Sequence, residues 1–311
     1  MAYLSTQSDD AQTVELIALD LRTRRIRWRE TWPDILARSL IGPVFTERPG
    51  ALSLSPDGTR LFVADALQGN TRGMLVLDLA TRTPVGFVPG FSVGVAGLVA
   101  VPAGTNFPRG IMLAAATPTA TSASTLFLID PDTFAIVDSI PNLVPAGVGS
   151  ISNLVLTPNG QDVYGARQGQ LIRIDLPSRS VTARTTTTPF AGGIAVSPDG
   201  RSVFVADHGD FFDSPGSGKI FRYATNLDPL PPVQLPTNLS DPVLVSHDVA
   251  VSADNRTLYV TSGTSQTGPL FGPQPGRLLI VDLESGSTRV VPLNDWNPVT
   301  IIVVSAGGSE P

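Results

Sequence analysis

The residues best suited to chemistry lie in one short stretch, 207–213, and at His247. The stretch reads Asp-His-Gly-Asp-Phe-Phe-Asp, so it places three carboxylates, an imidazole and two aromatic rings within seven residues. His247 is the second of the two histidines in the chain, and Asp248 follows it directly. An imidazole beside a carboxylate suits general acid–base catalysis, and the same groups bind divalent metals.

These residues give three sets of candidates. The catalytic candidates are His208, His247 and Asp248. The candidate ligand-binding residues are Asp207, Asp210, Phe211 and Phe212. Asp207, Asp210 and Asp213 are candidate ligands for Ca²⁺ or another divalent cation. Their spacing differs from that of an EF-hand, and no motif in the chain predicts a bound cofactor.

A structural interpretation of the same residues stays open. The aspartates can cap turns, because Asx side chains bond to nearby backbone groups. The Phe pair can pack the loop, and each histidine can form a local hydrogen bond. The elements around these residues therefore decide what they can do.

The composition excludes several classes of function. The net charge is −6, whereas a nucleic-acid-binding surface needs clustered positive charge. There is no cysteine, which excludes disulfides, thiolate metal sites and cysteine nucleophiles. No apolar run approaches the ~18 residues of a transmembrane helix. Charged residues make up 15% of the chain, below the usual value of about 25%, so we expect a surface of small polar residues or one that a partner covers.

A short phrase recurs and predicts the fold. Ser-Pro-Asp-Gly at 55–58 and 197–200, and Ser-Ala-Asp-Asn at 252–255, each join two apolar strands. Pro presets φ at the second turn position, Asp bonds the local backbone, and Gly accepts a positive φ. Further along each unit, an apolar run ends in an aspartate that we expect to cap the next turn, at Asp20, Asp78, Asp130, Asp175 and Asp282.

The repeat predicts an all-β, six-bladed β-propeller with four-stranded antiparallel blades, as a single domain over residues 1–311. The C-terminus supplies a first strand without a second, and the N-terminus supplies the missing strands, so we expect the two ends to pair. A seven-bladed ring is the alternative. The predicted blades are residues 1–34 with 297–311, 49–90, 95–141, 149–186, 190–236 and 245–293.

Residues 196–207 and 251–262 resemble the YVTN-type β-propeller repeat of bacterial surface and exported proteins and of lactonase-like propellers. The resemblance implies a propeller and raises lactonase chemistry. Residues 204–210 resemble the loop of the lactonase-like group, but residues 189–193 lack the histidine that the group carries there. A central metal, as in gluconolactonase-type propellers, is disfavoured because the matching positions are Gly50, Ala96, Ser152, Gly192, His247 and Thr300.

The sequence therefore favours a non-catalytic binding or assembly module that engages a protein or glycan partner. We expect an extracytoplasmic location, periplasmic or at the cell surface, while a cytoplasmic location stays open. The alternative is a lactonase- or esterase-like hydrolase, or a lyase, whose site lies at the loops of the blades at 190–236 and 245–293. In that alternative His208 and His247 transfer protons.

Overall fold

A computed structural model describes most of the chain. The described residues are 2–8, 14–20, 23, 25–45, 51–91, 94–104, 106–116, 123–146, 151, 153–167, 169–189, 191–207, 218–236, 245–263, 277–292 and 296–303.

The described residues form twenty-four strands and one short helix. The strands are β1 (Ala2–Ser8), β2 (Val14–Asp20), β3 (Arg25–Thr31), β4 (Leu52–Leu54), β5 (Arg60–Gln68), β6 (Thr71–Asp78), β7 (Thr83–Pro89), β8 (Val95–Val101), β9 (Ile111–Ala116), β10 (Leu126–Ile129), β11 (Ile136–Ile140), β12 (Asn153–Leu156), β13 (Asp162–Arg167), β14 (Gln170–Asp175), β15 (Ser180–Thr186), β16 (Ala191–Val196), β17 (Ser202–Asp207), β18 (Lys219–Ala224), β19 (Pro229–Gln234), β20 (Val245–Val251), β21 (Thr257–Gly263), β22 (Arg277–Asp282), β23 (Thr288–Pro292) and β24 (Trp296–Val303). The helix α1 covers Trp32–Ala37 and buries Trp32 and Ile35.

The all-β propeller prediction is confirmed at the level of four-stranded antiparallel blades. Five sheets each use four consecutive strands, β4–β7, β8–β11, β12–β15, β16–β19 and β20–β23. A further sheet is composite, with the order β24-β1-β2-β3, so the predicted pairing of the two ends is confirmed.

The predicted blade numbers need correction. Consecutive strands build five blades, one fewer than the six predicted, and a count of six is reached only if the composite sheet is included. The seven-bladed alternative is wrong, because the strands of the described residues are all used by these sheets. The boundary of a single domain at 1–311 stays a prediction.

The repeated turn behaves as its residues predict. The amide of its fourth residue donates to the carbonyl of its first in the three copies and in the related Thr-Pro-Asn-Gly turn at 157–160, at 2.8–3.0 Å. That fourth residue has a positive φ of 73° at Gly58, 69° at Gly160, 68° at Gly200 and 60° at Asn255. Because glycine pays no steric cost in this region, the turns are set by local sequence.

The aspartates that close the third strands cap the following turn, as expected. Each accepts a hydrogen bond from the backbone N–H three residues later, for example from Thr81 to Asp78 at 2.8 Å and from Ser178 to Asp175 at 2.7 Å. The same bond forms at Asp20, Asp130 and Asp282. The Thr81 N–H bond holds the pKa of Asp78 below its ordinary value. These carboxylates are therefore structural.

The described strands fall into two compact units. One contains β1–β3 and β16–β24, and the other contains α1, β4–β13 and residues 172–182. Within each unit the sheets pack through apolar faces; one core includes Phe204, Leu258 and Leu279, and another includes Leu113, Leu154 and Ile172. No helix in the described part of the chain is long and apolar enough to cross a bilayer.

Candidate functional site

The described part of the candidate site lies where the first strands β16 and β20 begin. Asp207 ends β17, opposite Ala191 at the start of β16. His247 and Asp248 lie in β20, near its start. His208, Asp210, Phe211, Phe212 and Asp213 lie outside the described residues, so their predicted roles stay predictions.

Both first strands are irregular at this end. The pairing of β20 with β21 shifts between Ser246 and Asp248, which makes His247 the extra residue of a β-bulge. The pairing of β16 with β17 shifts between Ala191 and Ile194. Bulges re-aim side chains and are frequent beside active sites, so the backbone at His247 has a feature that suits a functional position.

Asp248 is held firmly by its surroundings. It is buried, its backbone N–H donates to the Thr261 hydroxyl at 3.0 Å, and its Oδ1 accepts the Val249 N–H at 2.9 Å. A Cβ added to Gly193 would lie 1.8 Å from Asp248 Oδ1 and 2.4 Å from its Cα. Only glycine fits at position 193, and the Asp248 carboxylate helps to set this close approach of two first strands.

Asp207 also has a hydrogen bond inside the protein. It is buried, and its Oδ1 accepts the Thr188 hydroxyl proton at 2.7 Å. This bond ties the end of β17 to the segment that leads into β16. Asp207 therefore fixes the chain immediately before the predicted functional loop.

Of the candidate residues, the structure describes Asp207, His247 and Asp248, which lie at the same end of their two blades. Two of the predicted acids, Asp207 and Asp248, are buried at the same end of two blades in one unit. Among the described residues there is no cluster of three or more His, Cys, Asp or Glu side chains that could hold a metal ion. The described residues here stabilise the beginnings of strands β16 and β20.

Sequence reasoning missed Arg167, which ends β13 at the position that Asp207 takes in β17. Its Nε and Nη1 atoms are buried and make no hydrogen bond to a described residue. Aligning the two strands from their turns would have found it, because each residue stands ten places after the first residue of its turn. Equivalent positions thus carry opposite charges in consecutive blades.

The opposite ends of the blades hold two cavities. One, of about 230 Å³, lies between the blades β16–β19 and β20–β23 and is lined by Ser202, Phe204, Arg222, Asn255 and Arg256 among others. The second, of about 220 Å³, lies between β8–β11 and β12–β15 and is lined by Phe107, Asn159 and neighbouring turn residues. Neither was singled out from the sequence.

Comparison with known proteins supports the fold and leaves the family open. No family model matches the chain, so none supports the YVTN-type resemblance. No curated protein matches it either. Among solved structures, the chain is similar to the Kuenenia stuttgartiensis hydrazine synthase, with a TM-score of 0.58 and 14% identity over 90% of this chain and 76% of that chain. At this identity the likeness establishes a shared propeller fold alone.

Proposed function

We propose that this propeller is a non-catalytic binding module of the YVTN-type group, exported or displayed at the cell surface, that engages a protein or glycan partner. The observation that carries the proposal is that Asp207 and Asp248 accept hydrogen bonds from their own chain, Asp207 from the Thr188 hydroxyl and Asp248 from the Val249 N–H. A general acid or base has to present its carboxyl to a substrate, and these two carboxyls face their own chain.

The outer strand β11 supports a protein partner. It is the edge strand of its sheet, and Ile136 and Val137 are exposed, Val137 by 56%. An edge strand offers unpaired backbone groups; Asp138, which pairs with Arg179, is the charged residue of β11, and its two exposed apolar residues precede it. The low share of charged residues in the chain agrees with a surface that a partner covers.

One observation favours the alternative of a hydrolase or lyase. His247 occupies a bulge, and bulges are common next to active sites. In that alternative His247 and His208 would transfer protons, with Asp207, Asp210 and Asp213 as ligands of a divalent cation. Lactones and esters are the substrate class that the resemblance implies.

The test compares wild type with His247→Ala. Each protein is incubated with a panel of lactones and esters, with and without Ca²⁺, and its metal content is measured. We expect no turnover above the uncatalysed rate and no stoichiometric metal in either protein. Turnover or bound metal in the wild type that His247→Ala abolishes would overturn the proposal and establish the alternative.

A matched control uses Asp248→Asn. The amide keeps the size of the carboxyl and an oxygen that can accept the Val249 N–H. Under the binding proposal this variant loses a small part of its stability and has no activity to lose. A variant that folds normally but loses a measurable wild-type turnover would place Asp248 in the chemistry.

A further inference from the structure

An arginine occupies the same place in two blades that follow one another in sequence, but its partner differs. In the blade β12–β15, Arg173 donates from Nε and Nη2 to the two carboxylate oxygens of Asp162, both at 2.9 Å. In the blade β16–β19, Arg222 donates from Nε and Nη2 to the single hydroxyl oxygen of Ser202, at 3.0 and 2.9 Å. Asp162 and Ser202 each stand five residues after the first residue of their turn.

The charge balance of the two arginines therefore differs. Arg173 is neutralised by a bidentate ion pair, the arrangement that best matches guanidinium and carboxylate. The hydroxyl of Ser202 carries no charge, and no described carboxylate is within ion-pair distance of Arg222. Guanidinium has five N–H donors, of which Ser202 takes two, so three remain without a described partner.

Arg222 is also fixed in place. Its guanidinium lies over the Phe204 ring, 5.7 Å from the ring centroid, and the bonds to Ser202 hold its other edge. An arginine that is already oriented loses less conformational entropy when it binds an anion. The side chain is thus a preformed binding group.

Arg222 lines the cavity of about 230 Å³ between β16–β19 and β20–β23. Arg256 and Asn255 line the same cavity. Asn255 Oδ1 accepts the Asp199 N–H at 3.0 Å. The amide nitrogen of Asn255 forms no hydrogen bond to a described residue. Two arginines and an asparagine therefore line one small space.

Two acidic residues, Asp199 and Glu284, also line this cavity. The Asp199 carboxylate accepts the Ser197 hydroxyl at 2.6 Å and the Arg201 N–H at 3.0 Å, and the Ser197 bond holds the pKa of Asp199 below its ordinary value. Asp199 is thus occupied by its own turn. The charge of Arg222 also helps to lower the pKa of Asp199, so that carboxylate offsets part of its charge, but the N–H groups that Arg222 does not give to Ser202 form no hydrogen bond to a described carboxylate.

We propose that this cavity is a binding site for a small oxyanion, a carboxylate or phosphate group, which takes the place that the Asp162 carboxylate fills in the preceding blade. Arg222 binds the anion through its free N–H groups, and Arg256 and Asn255 complete the donor set. The volume limits the ligand to a small molecule or to one acidic group of a larger one. This site goes beyond the proposed function and does not depend on it.

The test is calorimetric titration with inorganic phosphate and, separately, with acetate, against chloride at equal ionic strength. Wild type is compared with Ser202→Asp, which supplies the missing carboxylate, and with Arg222→Gln, which removes the charge. We expect saturable binding of phosphate or acetate by the wild type, weakened by about tenfold or more in both variants, which is the loss of one charge-assisted contact.

A matched control is Lys219→Gln, which removes a cation of the same strand β18 that does not line the cavity. It should bind like the wild type. The proposal is overturned if neither anion binds more strongly than chloride, or if Ser202→Asp and Arg222→Gln both bind like the wild type. Equal weakening by Lys219→Gln would also overturn it, because binding would then follow net charge.

Discussion

The blades β12–β15 and β16–β19 share one plan and differ in how their charges are paired. Both use the same turn, the same strand order and an arginine at the same position of the third strand. The first pairs its arginine with Asp162, whereas the second has Ser202. At the other end Arg167 replaces Asp207. The difference teaches that the repeat fixes the scaffold, while the paired or unpaired charges distinguish one blade from another.

The largest expected effect concerns a position at which the two blades carry side chains of different size. Asn153 of β12 corresponds to Gly193 of β16, where a Cβ would lie 2.4 Å from the Cα of Asp248. We expect Gly193→Ala to lower the free energy of unfolding by about 3 kcal/mol, the upper range for overpacking. Denaturant titration measures this loss.

The control for that prediction is Gly104→Ala. The nearest heavy atom to a Cβ there is the Pro102 carbonyl oxygen at 4.0 Å, so the stability should change little. Equal midpoints for Gly193→Ala and wild type would show that β16 and β20 can separate at no cost. The account of Asp248 as a structural residue would then be wrong.

The second prediction converts one blade into the other. Asp162→Ser removes the carboxylate that pairs with Arg173, so we expect a loss of about 2 kcal/mol, the usual value of hydrogen bonds to a charged group. The variant should also gain a phosphate-dependent rise in melting temperature that exceeds the response of the wild type. Thermal unfolding in phosphate and in chloride measures both effects. A loss of stability without the added phosphate response would mean that Arg173, once freed from its carboxylate, does not bind phosphate as Arg222 is proposed to do.

The sequence predicted the scaffold well because its signals are local. The turn at 197–200 and the aspartate caps at Asp78 and Asp175 depend on residues within a few positions, and the structure has them as predicted. The pairing of β24 with β1 followed from the incomplete ends. The blade number was predicted as six, whereas consecutive strands build five blades, because the remaining sheet combines strands from distant parts of the chain.

The candidate site was predicted only in part. Asp207 and Asp248 lie at the predicted end of their blades, but their hydrogen bonds depend on Thr188 and Thr261, which are 19 and 13 residues away. The cavity beside Arg222 was missed because it needs the register between strands β17 and β18. The turn motif also says nothing about the position directly after it, where Ser202 stands in the place that Asp162 takes in the preceding blade.

The smallest expected effect lies at Tyr164, which corresponds to Phe204. Burial raises the pKa of Tyr164 to about 12. Because an unfolded tyrosine ionises near pH 10, its stabilising contribution is complete below about pH 10 and is lost as the pH rises towards 12. Tyr164→Phe should reduce the loss of stability between neutral pH and pH 10.5 by less than about 1 kcal/mol.

Phenolate absorbance during an alkaline titration checks this shift. Burial also raises the pKa of Tyr3 and Tyr223, so several wild-type phenols should ionise above pH 10, and Tyr164→Phe should lack the step near pH 12. Ionisation of every phenol near pH 10 would mean that the environment of Tyr164 is open to solvent. Arg173 and Asp162 would then lie in a less protected site than described.

The most direct test of the central claim is hydrogen–deuterium exchange of the wild type and of the exchanged variant Ser202→Asp/Asp162→Ser, each with and without phosphate. The account predicts that phosphate slows exchange in β17 and β18 of the wild type. In the exchanged variant the slowing should move to β13 and β14. Protection that stays in β17 and β18 in both proteins, or that appears in neither, would contradict the claim that an unpaired arginine makes the site.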